Sequence, residues 1–140
     1  MRFRLLTVLL ASAALLACQS TAPTKQAQDE APIFNYAKAD QQLIDTLAEL
    51  GSNIVEEHQL SFIVMCEKKS EVAKVLAGGV KYKFSVDDIH FDQDKKYWRS
   101  TMTKPLYLEV ELIQKQRAPL LPYLNNTSCL PLTWSAQVVM

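Results

Sequence analysis

The chain opens on Arg2-Phe3-Arg4 and then runs without a charge from Leu5 to Cys18, closing on small residues around Ala17. A basic start, a short apolar core and a small-residue end are the three parts of a secretory signal peptide. The apolar run also falls short of the ~20 residues that a permanent membrane-spanning helix needs. A buried amphipathic helix is the other use for such a stretch, but residues 5–17 have no polar face to turn toward water. Removal of this segment leaves about 120 residues to fold in an oxidising compartment. A chain of that size has a modest core and gains from a covalent staple.

The end of the run, Leu15-Leu16-Ala17-Cys18, resembles the lipobox of bacterial lipoproteins. The resemblance implies cleavage before Cys18, a diacylglycerol on its sulfur and acylation of the new amino terminus. Several acyl chains anchor a protein firmly where one holds it only marginally. Gln19 stands where an aspartate would signal inner-membrane retention in enteric-type bacteria, so the same resemblance implies an outer-membrane anchor with the domain on the periplasmic face. The chain then divides into a signal peptide over 1–17, a lipidated cysteine and flexible linker over 18–34, and an α+β domain over 35–140. The linker carries Pro23 and Pro32 and no apolar periodicity. As a flexible coil it spans roughly 20 Å root-mean-square.

With Cys18 given to lipid, Cys66 and Cys129 remain as an even pair, and a disulfide is the expected state. Closing so long a loop contributes on the order of 4 kcal/mol in the chain-entropy model, less any native strain. A reactive Cys66 thiol served by His58 or His90 is the functional alternative, but no motif surrounds these residues. The full chain has fifteen basic and fifteen acidic residues; without Arg2 and Arg4 the balance is thirteen against fifteen. No basic stripe of the kind nucleic-acid binders carry follows from that, so a nucleic-acid partner is not expected.

Leu43, Ile44, Leu47, Leu50, Ile54 and Val55 fall on one helical stripe, which predicts an amphipathic helix from Tyr36 to about Glu57, with a stop at Gly51 as the alternative. Leu60 to Cys66 reads as a buried strand with Leu60, Phe62, Val64 and Cys66 on one face. Ser70 to Ala77 reads as a short helix stopped by Gly78-Gly79, or else as a strand. Val80, Tyr82, Phe84 and Val86 alternate with polar residues and predict a strand with one wet face. Ile89 to Phe91 continues it, Asp92 to Lys96 turns, and Tyr97 to Met102 returns. The alternation from Leu106 to Leu112 predicts another half-buried strand, Ala118 to Ser128 a connection, and Leu132 to Met140 a last strand. The expected architecture is one small α+β domain: an amino-terminal amphipathic helix packed on a mainly antiparallel sheet, with one disulfide.

Candidate chemistry is sparse. Asp88, His90 and Asp92 would share a strand face and could ligate a divalent metal, but a calcium loop's glycine and closing glutamate are missing, so a solvated turn is the reading. Glu56-Glu57-His58 lacks the order of a zinc-peptidase helix and reads as a solvated helix end. No nucleophile elbow, phosphate loop or dinucleotide fingerprint occurs. Catalytic residues, metal ligands and cofactors are therefore not assigned. Adjacent Tyr97 and Trp98 cannot both face inward on a strand, and an exposed aromatic beside Arg99 is of the type enriched at protein interfaces. Tyr97, Trp98 and Arg99 are the candidate interface. In size, anchor and single disulfide the chain resembles small secretion-system pilotins. That resemblance implies a non-catalytic binding or assembly factor for an envelope complex, with an envelope protein as partner. A periplasmic ligand-binding or enzyme-inhibitor lipoprotein is the alternative.

Overall fold

Asn35 starts the first helix: its side-chain oxygen accepts the Lys38 amide at 3.0 Å, and α1 then runs Tyr36–Glu49 with Ile44 and Leu47 buried. The computed structural model describes residues 33–140; the predicted signal peptide over 1–17, the predicted lipidation site Cys18 and the expected linker as far as residue 32 lie outside the described residues. The apolar stripe predicts a helix to about Glu57, but α1 stops after Glu49. Gly51 adopts left-handed backbone at φ +88°, the conformation that terminates helices. Ile54 and Val55, expected to face inward, stay exposed.

The chain then enters β1, Glu57–Cys66. This strand pairs antiparallel along its whole length with β4, Tyr97–Tyr107, in a register running from Glu57↔Tyr107 to Cys66↔Trp98. On the outer side of β4 lie two short strands, β2 at Ser85–Val86 and β3 at His90–Asp92. On the outer side of β1 lies β5, Trp134–Ala136. The sheet order is β2-β4-β1-β5, with β3 also on β4 and every pair antiparallel. α2, Lys69–Lys81, joins β1 to β2; α3, Val110–Arg117, with a 3-10 helix at Ala118–Leu124, joins β4 to β5. Each crossover skips one strand, so the domain is two interlocked split β-α-β units, the ferredoxin-like topology, with α1 added against α3. The α+β fold on an antiparallel sheet is as the sequence predicts.

The core lies between the helices and one face of the sheet. Leu60, Phe62, Val64 and Cys66 of β1, Met102 and Leu106 of β4 and Trp134 of β5 meet Val72, Val75 and Leu76 of α2, together with Ile113 and Leu120. The predicted disulfide is formed between Cys66 and Cys129, across 63 residues of chain. It ties the end of β1 to the segment that follows the 3-10 helix.

An ion pair fixes the other side of the core. Arg117 sends its two terminal nitrogens to Asp40 at 3.0 and 2.6 Å and its Nε to the Leu132 carbonyl at 3.0 Å. Trp134 Nε1 donates to the same Asp40 carboxylate at 2.8 Å, and the Tyr36 hydroxyl accepts the Leu132 amide at 3.0 Å. The guanidinium also lies over the Tyr36 ring, 4.3 Å from its centre. Asp40 and Arg117 are both 1% exposed, and each of the three guanidinium nitrogens makes a hydrogen bond. Such a fully bonded buried pair is costly to break, because the survivor is left charged and unpaired.

The last strand, predicted over Leu132 to Met140, is only Trp134–Ala136, the length over which it pairs with β1, and three further expectations about elements are corrected. Gly78 and Gly79 lie inside α2 and do not stop it, because the helix presses against other elements there: a Cβ on Gly78 would sit 2.8 Å from the Tyr123 ring, and one on Gly79 would collide with Met102 Sδ. The strand predicted over 80–86 is the end of α2, a turn with Lys83 at φ +68° and the two residues of β2. Phe84 is buried, but Val80, Tyr82 and Val86 are exposed. The strand predicted over 106–112 ends at Tyr107, and α3 follows, burying Ile113 and Arg117 one turn apart.

Candidate functional site

Alternation on the strands leaves the second sheet face to Gln59, Ser61 and Ile63 of β1 and Tyr97, Arg99, Thr101 and Thr103 of β4. Among the described residues no helix packs on this face. Its hydroxyls are knitted across the strands: Ser61 and Thr103 share a hydrogen bond of 2.7 Å, and the Thr101 hydroxyl donates to the Asp87 carboxylate; the buried Ser100, which alternation turns to the covered face, donates its Oγ to the Asp87 carbonyl at 2.8 Å. Two shallow polar depressions lie along it. One, of about 500 Å³, is lined by Asp87, Asp88, His90, Arg99, Ser100 and Thr101. The other, of about 400 Å³, is lined by Gln59, Ser61, Ser135, Ala136 and Gln137. At one end Tyr107, half exposed, stands opposite Glu57.

The three candidate interface residues divide between the two faces. Tyr97 and Arg99 lie on the open face, opposite Asp92 and His90 of β3. Trp98 points the other way, its ring 5.3 Å from that of Phe91 and 5.4 Å from Lys69 Nζ of α2. Arg99 reaches Asp92 at 3.6 Å. Asp92 also closes the hairpin turn, accepting the amides of Asp94 and Lys95 at 3.0 Å each. The Lys95 amide above all, opposed by partial burial and aided by the Asp94 amide and the Arg99 charge, holds the Asp92 carboxyl below its ordinary range.

That geometry bears on the chemistry weighed from sequence. Asp92 is committed to turn amides and to Arg99, and a guanidinium beside His90 opposes a divalent cation. Cys66, Cys129 and Glu71 do converge, but both sulfurs are bonded to each other. Glu71 instead anchors the loop: the Ser128 hydroxyl donates to it, and the Ser128 amide donates at 3.2 Å. The Ser128 hydroxyl is the main reason that the Glu71 carboxyl is held below its ordinary range, against some desolvation.

His58 does not lie at a solvated helix end. It is 1% exposed at the start of β1, with Nδ1 on the Glu56 carbonyl at 2.9 Å and Nε2 on Ser52 Oγ at 2.7 Å. Ser52 Oγ also accepts the Val139 amide at 2.9 Å. A serine and a histidine in contact form the nucleophile and base of many hydrolases. Here the pair is buried under the last strand's extension and fastens it to the 50–56 turn, where the Asn53 amide donates to the Val139 carbonyl at 2.7 Å.

The open face is therefore an uncovered, largely polar surface, and a comparison with known families places the chain. Residues 37–134, from the first turn of α1 to the first residue of β5, match the family model described as Regulator of ribonuclease activity B, RraB. The chain belongs to the RraB family. No curated protein matches the chain. The RraB match contains the whole buried network of Asp40, Arg117 and Trp134, the disulfide and all of β4. Sequence reasoning missed that network and the Ser52–His58 pair, since each joins positions far apart in the chain or differently placed by the predicted elements. A signal for the first was present: Arg117 and Asp40 each fall among apolar neighbours at helical spacing.

Proposed function

We propose that this chain is a non-catalytic regulator that binds an enzyme, of the ribonuclease class in its family's description, from a lipid anchor on the periplasmic face of the outer membrane. Membership of the RraB family carries the regulatory half of the reading. It supports the inhibitor-type role over the envelope-assembly role that anchor and size suggest. The address rests on the lipobox-like Leu15-Leu16-Ala17-Cys18, and the Cys66–Cys129 disulfide suits an oxidising compartment. The proposed contact is the open face of the sheet, with Tyr97, Arg99 and Tyr107 as its large side chains. Recognition there follows the usual interface pattern, a few aromatic and arginine anchors among adaptable hydroxyls and amides.

The test is crosslinking in cells followed by identification of the partner, repeated with Tyr97→Ala and Tyr107→Ala after each variant is shown to fold. Truncating a central aromatic anchor commonly costs ~2 kcal/mol or more of binding, so the expected result is one captured nuclease whose crosslink weakens in a variant and whose activity changes when the purified protein is added. Capture of envelope-assembly proteins alone would return the reading to an assembly factor.

A further inference from the structure

We propose that α2 is a membrane-docking helix, whose lysine-bordered outer face rests on anionic phospholipid and so turns the open face of the sheet toward the periplasm. This rests on the anchored reading above and adds an orientation to it.

The inner side of α2 is spent on the core through Val72, Val75 and Leu76. Its outer side presents Lys69, Ala73, Lys74, Ala77, Val80 and Lys81, all exposed, and Tyr82 and Lys83 follow directly. Val80 is 58% exposed and Tyr82 36%, so an aliphatic and an aromatic side chain are left outside among lysines. Charge is concentrated in the same place. Residues 67–83 hold five lysines and two glutamates, and one of these, Glu71, is bound to Ser128. The rest of 33–140 holds seven basic and eleven acidic residues. The basic character is thus local to one helix on an otherwise acidic domain.

Two of these lysines sit where the helix itself does not want them. Lys68 occupies the N-cap without a side-chain cap bond and Lys69 begins the first turn, the end at which the helix dipole favours anions. Serine or aspartate would cap better. An outward face of lysine stems, Val and Tyr is instead the pattern of a helix lying at a lipid headgroup surface. Acidic headgroups attract juxtamembrane lysines within a Debye length. A lipid anchor on a linker of roughly 20 Å, about two Debye lengths, keeps the domain close enough to reach that layer repeatedly, so that even a weak contact is populated. α2 packs on the helix-covered side of the sheet, opposite the face bearing Tyr97 and Arg99, and docking through α2 leaves that face free for a protein.

Lysine footprinting of the mature lipoprotein tests this. The protein, purified from membranes, is reconstituted into vesicles of phosphatidylcholine alone or mixed with phosphatidylglycerol, acetylated briefly and mapped by mass spectrometry. Lys68, Lys69, Lys74, Lys81 and Lys83 should react at least about threefold more slowly on the anionic vesicles, and high salt should erase the difference. Lys38, Lys95 and Lys96 should react alike on both. The double variant Lys74→Glu, Lys81→Glu should lose the protection at Lys68, Lys69 and Lys83. Equal reactivity on the two vesicles, or protection spread evenly to Lys95 and Lys96, overturns the proposal. So does stronger protection by added RNA than by anionic lipid, which would assign the patch to nucleic acid. The mass of the Cys18 peptide reports acylation separately, and an unacylated chain mixed with the same vesicles still reads the docking of α2.

Discussion

The two faces of this sheet come from the same strands by the same alternation, yet they are built to opposite ends. Beneath the helices, Leu60, Phe62, Val64, Met102 and Trp134 are sealed from water, and the fully buried charges among the described residues, Asp40 and Arg117, are paired with each other, with the third guanidinium nitrogen on the Leu132 carbonyl. On the other face Gln59, Ser61, Thr101, Thr103 and Tyr97 remain partly wetted. The difference teaches where selection for stability ends. Side chains on the covered face determine whether the chain folds, whereas those on the open face can be exchanged at little cost to folding and are free to serve recognition.

The largest expected effect breaks the covered face. Arg117→Ala removes the guanidinium that satisfies Asp40 and the Leu132 carbonyl, and leaves a buried carboxylate supported by Trp134 alone. Chemical denaturation should show a loss of about 3–5 kcal/mol, enough to unfold much of a marginal domain. Replacing Cys66 and Cys129 together by alanine comes next, at about 2–4 kcal/mol; a variant as stable as the parent under oxidising conditions would show that the bridge adds nothing to the packing around it. On the open face, Tyr107→Ala and Thr101→Val should each shift stability by less than about 1 kcal/mol, and a larger loss in either would erase the distinction drawn between the faces.

The smallest effect is one of pH. The Glu71 and Asp92 carboxyls are held below their ordinary ranges in the folded protein. Their contribution is therefore present above the unfolded carboxyl values, about 4.3 for Glu and 3.9 for Asp, and is lost as pH falls through the lower folded values. Glu71→Gln and Asp92→Asn should lower the melting temperature slightly near neutrality and lie closer to the parent in strong acid. A gap between parent and variant that widens on acidification would contradict the assigned hydrogen bonds.

How much of this was legible in the sequence follows from how local each signal is. β1 and the turn from Asp92 to Lys96 declare themselves through alternation and turn residues close together in the chain, and the disulfide through an even cysteine count. α1 was readable except at its end, where the left-handed Gly51 outweighed an apolar stripe that kept its phase. The errors at 80–86 and 106–112 share a cause: a helix and a strand can both accommodate an apolar residue at every second position over a short run. What decides between them is tertiary. α2 continues through two glycines because Tyr123 and Met102 need the room, and α3 forms where Arg117 can reach Asp40. One local clue was available for α3, with Glu111 in its first turn and Lys115 and Arg117 in its last, the order that the helix dipole favours. The candidate interface was legible only as a list: strand alternation requires Tyr97 and Trp98 to part company, but which of them turns toward α2 depends on the register with β1.

The position of the disulfide also redraws the path by which the chain can fold. Phe62 and Trp134 are neighbours in the sheet although about seventy residues of chain separate them. Through Cys66 and Cys129 the connection is only the stretch from Phe62 to Cys66 and that from Cys129 to Trp134, about ten residues in all, and closing a loop costs less the shorter it is. The bridge thus converts the most distant strand pairing among the described residues into something close to a hairpin. Once it has formed, β5 no longer has to search for its place on β1.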